Sequence, residues 1–234
     1  MVEPLFQIKI ECICCTESYQ TSRVRPSLKK AVRTDSDFCS YFKTVNPDYY
    51  VVRVCPFCGF ASTENFVTKL SEKQKSAYYE KLGNQWQFRD YGGERSAVLA
   101  MECYKLSLVT AQAIGEKDRV VAALLHHIAW LYRYEGKQDQ EERFLKFAMD
   151  SYVRVYETER DSISNARLMY LIGELHKRLG LFHEAVRWFG RVIHDKKIVD
   201  AAMIRASREQ WQNIREIMTG QGLDLPEEMQ QSGA

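Results

Sequence analysis

Cys55-Pro56-Phe57-Cys58-Gly59 closes an alternating apolar run, Tyr50, Val52 and Val54, and Cys12-Ile13-Cys14-Cys15 answers it about forty residues upstream. A Cys-x-x-Cys knuckle aims two sulfurs at one point, and two knuckles on neighbouring strands supply the four soft ligands of a tetrahedral Zn²⁺. The expected ligand set is Cys12, Cys15, Cys55 and Cys58. Cys14 is an alternative to Cys12 or Cys15, but only the Cys12/Cys15 pair has the x-x spacing. The 39-residue gap between the pairs exceeds the roughly 15–20 residues of a zinc ribbon, so the ribbon is expected to carry an inserted strand pair. A sheet of about sixty residues has too small a core to be secure alone. Structural zinc, at of order 10–16 kcal/mol in finger peptides, would supply the missing stability.

The pattern upstream and between the knuckles is that of strands. Phe6, Ile8 and Ile10 alternate with Gln7, Lys9 and Glu11 and run into Cys12. Ser18 to Val24 and Leu28 to Arg33 read as further short strands, with turns at Thr34-Asp35-Ser36-Asp37 and Asn46-Pro47-Asp48. Gly59 sits where positive φ is commonly needed. Cys39 could be a ligand or a thiol supporting one, but a small buried residue is the default.

Downstream the period becomes helical. Ser62 or Thr63 is expected to cap a short helix. Ser71-Glu72-Lys73-Gln74 is a capping box, and its helix stops at Gly83. The aromatics and glycines of Trp86 to Arg95 predict an ordered connector docked on something. Beyond Glu94 six helices are expected: one ending at Gly115, one from Asp118 to Gly136, Glu141 to Glu157, Asn165 to Leu179, Phe182 to Ile193, and Ile198 to Met218. Residues Ala166 to Lys197 fit a tetratricopeptide-like unit: Ile172-Gly173 at the Leu-Gly pair, Gly180 in the turn, Ala185 at the small crossing position and Phe189 at the aromatic one. Ala129, Gly136, Leu145 and Ala148 echo it in the preceding pair.

The fold class is therefore α+β, mostly α. Residues 1–62 form a zinc-ribbon-like β module and 63–93 a helical connector. Residues 94–218 form a tetratricopeptide-like domain of antiparallel helical hairpins, and 219–234 a flexible tail. A net charge of +2 gives no global field that argues for nucleic acid or an anionic membrane. Seven cysteines and a start lacking a basic region and an apolar h-region lead to the expectation of a reducing, cytoplasmic setting. No uninterrupted apolar run approaches the roughly 18 residues of a membrane span.

Four cysteines close a zinc shell, whereas a catalytic zinc keeps an open position. Neither knuckle opens a helix as a redox Cys-x-x-Cys does. His126 and His127 point about 100° apart on a helix, so one metal cannot readily take both. His176, His183 and His194 are scattered, and no phosphate loop or nucleophile elbow occurs. A non-enzymatic adaptor that binds a protein or peptide partner on its helical array is expected. One alternative is nucleic-acid binding through Arg23, Arg25, Lys29, Lys30 and Arg33. Residues 1–62 carry eight basic and six acidic side chains, and four thiolates on a divalent ion would offset that surplus, so a solvated strand face is favoured. The other alternative is a thiol or zinc redox switch through Cys14 or Cys39.

Several runs together resemble a bacterial family, domain of unknown function 2225. They are Arg33-Thr34-Asp35-Ser36-Asp37-Phe38-Cys39, Val54-Cys55-Pro56-Phe57-Cys58-Gly59-Phe60-Ala61, Leu70-Ser71-Glu72-Lys73-Gln74, Arg89-Asp90-Tyr91-Gly92-Gly93-Glu94-Arg95 and Tyr170-Leu171-Ile172-Gly173-Glu174-Leu175. The resemblance spans roughly residues 5–217 and implies architecture and a bacterial cytoplasmic setting, not chemistry. That family's first knuckle typically reads Cys-Pro-x-Cys-Gly. This chain has Ile13 at the proline place, Cys14 at the third and Thr16 at the glycine place.

Overall fold

Three short antiparallel hairpins begin the chain and helices complete it, in a computed structural model that describes residues 3–158 and 165–230. The fold is α+β and mostly α. In the first hairpin β1 (Leu5–Glu11) pairs with β2 (Ser18–Val24). Glu11 lies opposite Ser18, so Cys12 to Glu17 form the connecting loop. The inserted pair is β3 (Ala31–Thr34) with β4 (Ser40–Phe42). β5 (Arg53–Val54) pairs with β6 (Ala61–Ser62), and the second knuckle is their loop.

Some local expectations differ. Leu28 ends a 3₁₀ turn begun by Pro26, because proline fixes φ and lacks the N–H a ladder needs; the strand starts only at Ala31. Pro47–Tyr50 is likewise a 3₁₀ turn, in which the Asn46 side chain accepts from the Asp48 amide at 2.9 Å. The alternation of Tyr50, Val52 and Val54 thus yields two strand residues. Ser62 belongs to β6 and caps no helix, because it is the ladder partner of Arg53.

The Ser71 capping box forms as read. Its hydroxyl accepts from the Gln74 amide at 3.3 Å and its amide donates to Gln74 Oε1 at 3.0 Å, starting α1 (Glu72–Lys81). The stretch from Trp86 to Arg95 is docked at Trp86, Tyr91, Gly92 and Arg95, while Gln87 to Asp90 lie exposed between them. Trp86 Nε1 donates to the Pro56 carbonyl at 2.9 Å, and the Gly92 carbonyl accepts from the Ser22 amide and hydroxyl at 2.9 and 2.6 Å. Buried Arg95 donates to the carbonyls of Tyr91, Tyr49 and Val52. A Cβ on Gly92 would stand 2.5 Å from the Gln20 carbonyl oxygen. That oxygen is backbone of β2 and cannot swing aside. Gly92→Ala is expected to cost about 1–3 kcal/mol, the usual range for overpacking. An unchanged urea midpoint for that variant would contradict the docking.

Next come α2 (Ala97–Ile114), capped by the Ser96 hydroxyl, α3 (Asp118–Tyr134) and α4 (Gln138–Thr158). Asp118 opens α3 as its first helical residue; the cap is Lys117, without a side-chain bond. By length and composition α2 is apolar enough to cross a membrane. It nevertheless carries Glu102 and Lys105, and it places Ala100, Cys103, Tyr104, Ala111 and Ile114 in the core. The chain divides into compact units at Phe144 and Leu145, inside α4, so the cysteine hairpins, the connector, α2 and α3 belong to one unit.

In the second unit α5 (Ala166–Arg178) and α6 (Phe182–His194) are joined through Gly180 at φ +74°. A Cβ on Gly173 would stand 2.8 Å from the Phe189 ring, so the glycine permits the close crossing that the tetratricopeptide-like pattern places there. α7 (Ala201–Gly220) starts at the Asp200 cap and packs on both α5 and α6. The segment beyond it forms a short α8 (Glu227–Gln230) that buries Met229 against this helical set. The last four residues of the expected tail, 231–234, lie outside the described residues.

Candidate metal centre

The two knuckles are the same turn built twice. In the first, the Cys12 amide donates to the Glu17 carbonyl and the Thr16 amide to the Cys12 carbonyl, both at 2.9 Å. In the second, the Cys55 amide donates to Phe60 at 3.0 Å and the Gly59 amide to Cys55 at 2.8 Å. The fifth residue of each turn is left-handed, Gly59 at φ +75° and Thr16 at φ +64°. The backbone thus imposes on Thr16 the conformation that glycine adopts freely, and a β-branched residue is strained there. Thr16→Gly is expected to stabilise the first unit by on the order of 1 kcal/mol, less whatever is lost with the 2.6 Å bond from its hydroxyl to the Cys15 carbonyl. A lower denaturation midpoint would show that this bond matters more than the strain.

The four sulfurs of Cys12, Cys15, Cys55 and Cys58 lie within 4.8 Å of one another and could hold a metal ion. Cys12 to Cys58 is 3.7 Å and Cys15 to Cys55 is 3.6 Å, so each close pair joins one knuckle to the other. A zinc–tetrathiolate with bonds near 2.3 Å has sulfur–sulfur edges of about 3.8 Å, close to both distances. Cys12, Cys55 and Cys58 are buried and Cys15 is half-buried. Hydrogen bonding from Cys12 and then Cys58 pulls the Cys55 thiol down to about 2. Cys12 is pushed up, first through Cys55, and Cys58 is pushed up, first through Cys12. The close thiols thus oppose one another's ionisation, and a divalent cation is what would let such a set deprotonate together.

Of the remaining cysteines, Cys14 borders this set and Cys39 and Cys103 take no part in it. Cys14 is buried, and its thiol is lowered by hydrogen bonding to Cys58 and further by Tyr79. Cys39 is fully buried, donates to the Tyr134 hydroxyl at 3.5 Å and is pushed up to about 12 by burial. Burial likewise pushes Cys103 up to about 11.

A second polar cluster was not anticipated. Arg133 on α3 grips Asp37 bidentately, Nη1 to Oδ1 at 3.0 Å and Nη2 to Oδ2 at 2.7 Å. It also donates to Asp35 at 3.0 Å and to Glu141 at 2.7 Å. Trp130 Nε1 donates to Asp37 at 3.2 Å, and His126 Nε2 stands 3.4 Å from the same oxygen. Burial opposes the Arg133 charge, but Asp37 outweighs it and the guanidinium is held above its usual range. Burial holds His126 below its ordinary value, against the pull of Asp37. The tip of the β3–β4 hairpin is thereby fixed to α3. One signal was present in the sequence: His126, Trp130 and Arg133 share a helix face at i, i+4 and i+7. His127 stacks on Tyr104 with ring centroids 5.6 Å apart, so neither adjacent histidine faces the thiols.

The family model described as an uncharacterised protein conserved in bacteria, DUF2225, matches residues 5–214. No curated protein and no solved structure matches the chain.

Proposed function

We propose a function from this premise: the chain belongs to DUF2225, a family of uncharacterised proteins conserved in bacteria. It is a non-enzymatic adaptor in which zinc, held by Cys12, Cys15, Cys55 and Cys58, is a structural staple and a helical surface binds a protein or peptide partner. The observation that carries the zinc reading is the sulfur set itself, four thiols within 4.8 Å of one another with two pairs near the spacing of a tetrathiolate edge. Four thiolates fill a tetrahedral shell and leave no position for substrate or water. The helical hairpins support the partner reading, because stacked hairpins present extended concave surfaces.

Two measurements test it. Metal analysis of purified protein is expected to give one zinc per chain, and cobalt substitution the absorption of a four-thiolate site. Affinity capture from native lysate is expected to recover a protein partner. Recovery of none, together with saturable turnover of a small substrate, would overturn the adaptor reading.

The nucleic-acid alternative loses support from the side chains it would use. Arg23 closes on Glu64, as Arg53 does. Arg25 Nε donates to the Glu3 carbonyl at 2.8 Å. Arg33 pairs with Asp35 and lies 3.9 Å over the Tyr41 ring. These internal commitments favour the solvated strand face, and a flat titration with duplex or single-stranded DNA at low salt is the expected result.

A further inference from the structure

We propose that the groove between the connector and α2 receives a short peptide segment of a partner protein, with a bulky apolar side chain seated in it and a carboxylate beside it. The proposal rests on the adaptor reading and names the surface and the chemistry it would use. The groove has a volume of about 550 Å³, within the range of roughly 300–1,000 Å³ typical of ligand sites.

Leu82, Leu106 and Val109 make its apolar floor, and Trp86 and Tyr91 its flat walls. The Trp86 wall is fixed in advance. Its indole N–H is committed to the Pro56 carbonyl, and its ring lies where a Cβ on Gly59 would clash at 2.3 Å. A rigid wall spares the ordering cost that weakens association. Phe57 of the second knuckle and Phe88 of the connector, 48 % and 69 % exposed, meet edge to face with ring centroids 5.7 Å apart.

The polar rim selects a peptide. Gln85 and Gln87 each offer an amide that can both donate to and accept from an extended backbone. Arg89 and Lys105 bring two cations against one carboxylate, Glu102. That carboxylate is already engaged by Arg89 at 2.7 Å and by the Tyr91 hydroxyl at 3.2 Å. Lys105 is exposed, its ammonium 5.9 Å from the Tyr132 ring centroid. The surplus charge beside an apolar floor is complementary to an acidic side chain next to an aromatic or aliphatic anchor.

The test uses the full chain and two fluorescein-labelled peptide pools in a Gly/Ser frame. Each pool carries Leu, Phe or Trp at the centre, flanked by Asp and Glu in one and by Lys and Arg in the other. The acidic pool is expected to bind at least about tenfold more tightly, since rim charges set partner choice. Lys105→Glu should abolish that preference and Leu106→Arg should abolish binding, both with wild-type zinc content and circular dichroism. Equal binding of the two pools, or unchanged binding to both variants, would overturn the proposal. So would indole-3-acetate binding as tightly as the peptides. Lysate partners captured equally by wild type and both variants would overturn the groove and leave the adaptor reading standing; no partner captured by any, together with saturable turnover of a small substrate, would overturn both.

Discussion

Cys55→Ser is expected to bring bound zinc from one per chain to near zero and to abolish the cooperative unfolding transition of the first unit. The reason is how little the strand pairing itself contributes. β5 and β6 are two residues each, and each of the three strand pairs is a separate two-stranded sheet. Isolated hairpins are marginal in water. Binding free energy of structural zinc, of order 10–16 kcal/mol in small metal domains, is folding free energy there, and losing one of four ligands forfeits a large part of it. The damage should spread past the knuckle. The Tyr78 hydroxyl of α1 donates to the Cys58 carbonyl at 2.7 Å, and Trp86 and Arg89 of the connector both donate to Pro56. Excess chelator should do the same to the wild type. Cys14→Ser and Cys39→Ser separate metal loss from thiol loss in general: both are expected to keep full zinc content, because neither sulfur belongs to the four-sulfur set. Native-like zinc and a wild-type urea midpoint in Cys55→Ser would sink the staple; zinc loss in Cys14→Ser would mean that the ligand set is wrong.

What was legible in the sequence was whatever is encoded locally or by strict spacing. The x-x interval picks Cys12 and Cys15 over Cys14, and the two turns close on matching hydrogen bonds. The capping box at Ser71, the stops at Gly115, Gly136 and Gly180, and the crossing of Gly173 with Phe189 are likewise short-range signals. Strand extents were less legible, because Pro26 and Pro47 bend the chain into 3₁₀ turns, the second running into the alternately buried Tyr50 to Val54. The groove was not legible at all. Its walls come from Trp86 and Tyr91 and its floor from Leu82, Leu106 and Val109, brought together only by tertiary packing. Nor was the attachment of the inserted hairpin, since Asp35, Ser36 and Asp37 carry an ordinary turn composition and Arg133, which grips the two aspartates, is 98 and 96 positions away.

That attachment yields the second large effect. Arg133→Ala is expected to destabilise the first unit by about 3–5 kcal/mol, the cost of removing one partner from a buried pair. Asp37 is fully buried, and the Arg133 side chain is only 10 % exposed, so solvent screens little. Truncation would leave the carboxylates of Asp35, Asp37 and Glu141 converging on a vacated site, with Trp130 Nε1 still donating to Asp37 and the Tyr41 hydroxyl to Asp35. Arg133→Lys should recover little, because an ammonium cannot reproduce two parallel bonds to one carboxylate and a third to Glu141. The diagnostic variant is Arg133→Met with Asp37→Leu. If the cost comes from an uncompensated buried charge, removing both partners should restore most of the lost stability, as apolar replacement of buried pairs often does. If the double variant is as unstable as Arg133→Ala, the cluster acts instead by fixing the hairpin tip in place. Phe38 at φ +71° and the Tyr134 hydroxyl, which donates to the Ser40 carbonyl at 2.8 Å and to Asp48 at 3.0 Å, would then lose their register with α3. Urea midpoints of the three variants decide between the two causes, and a midpoint within about 0.5 kcal/mol of wild type for Arg133→Ala, the scale of an ordinary surface change, would remove both.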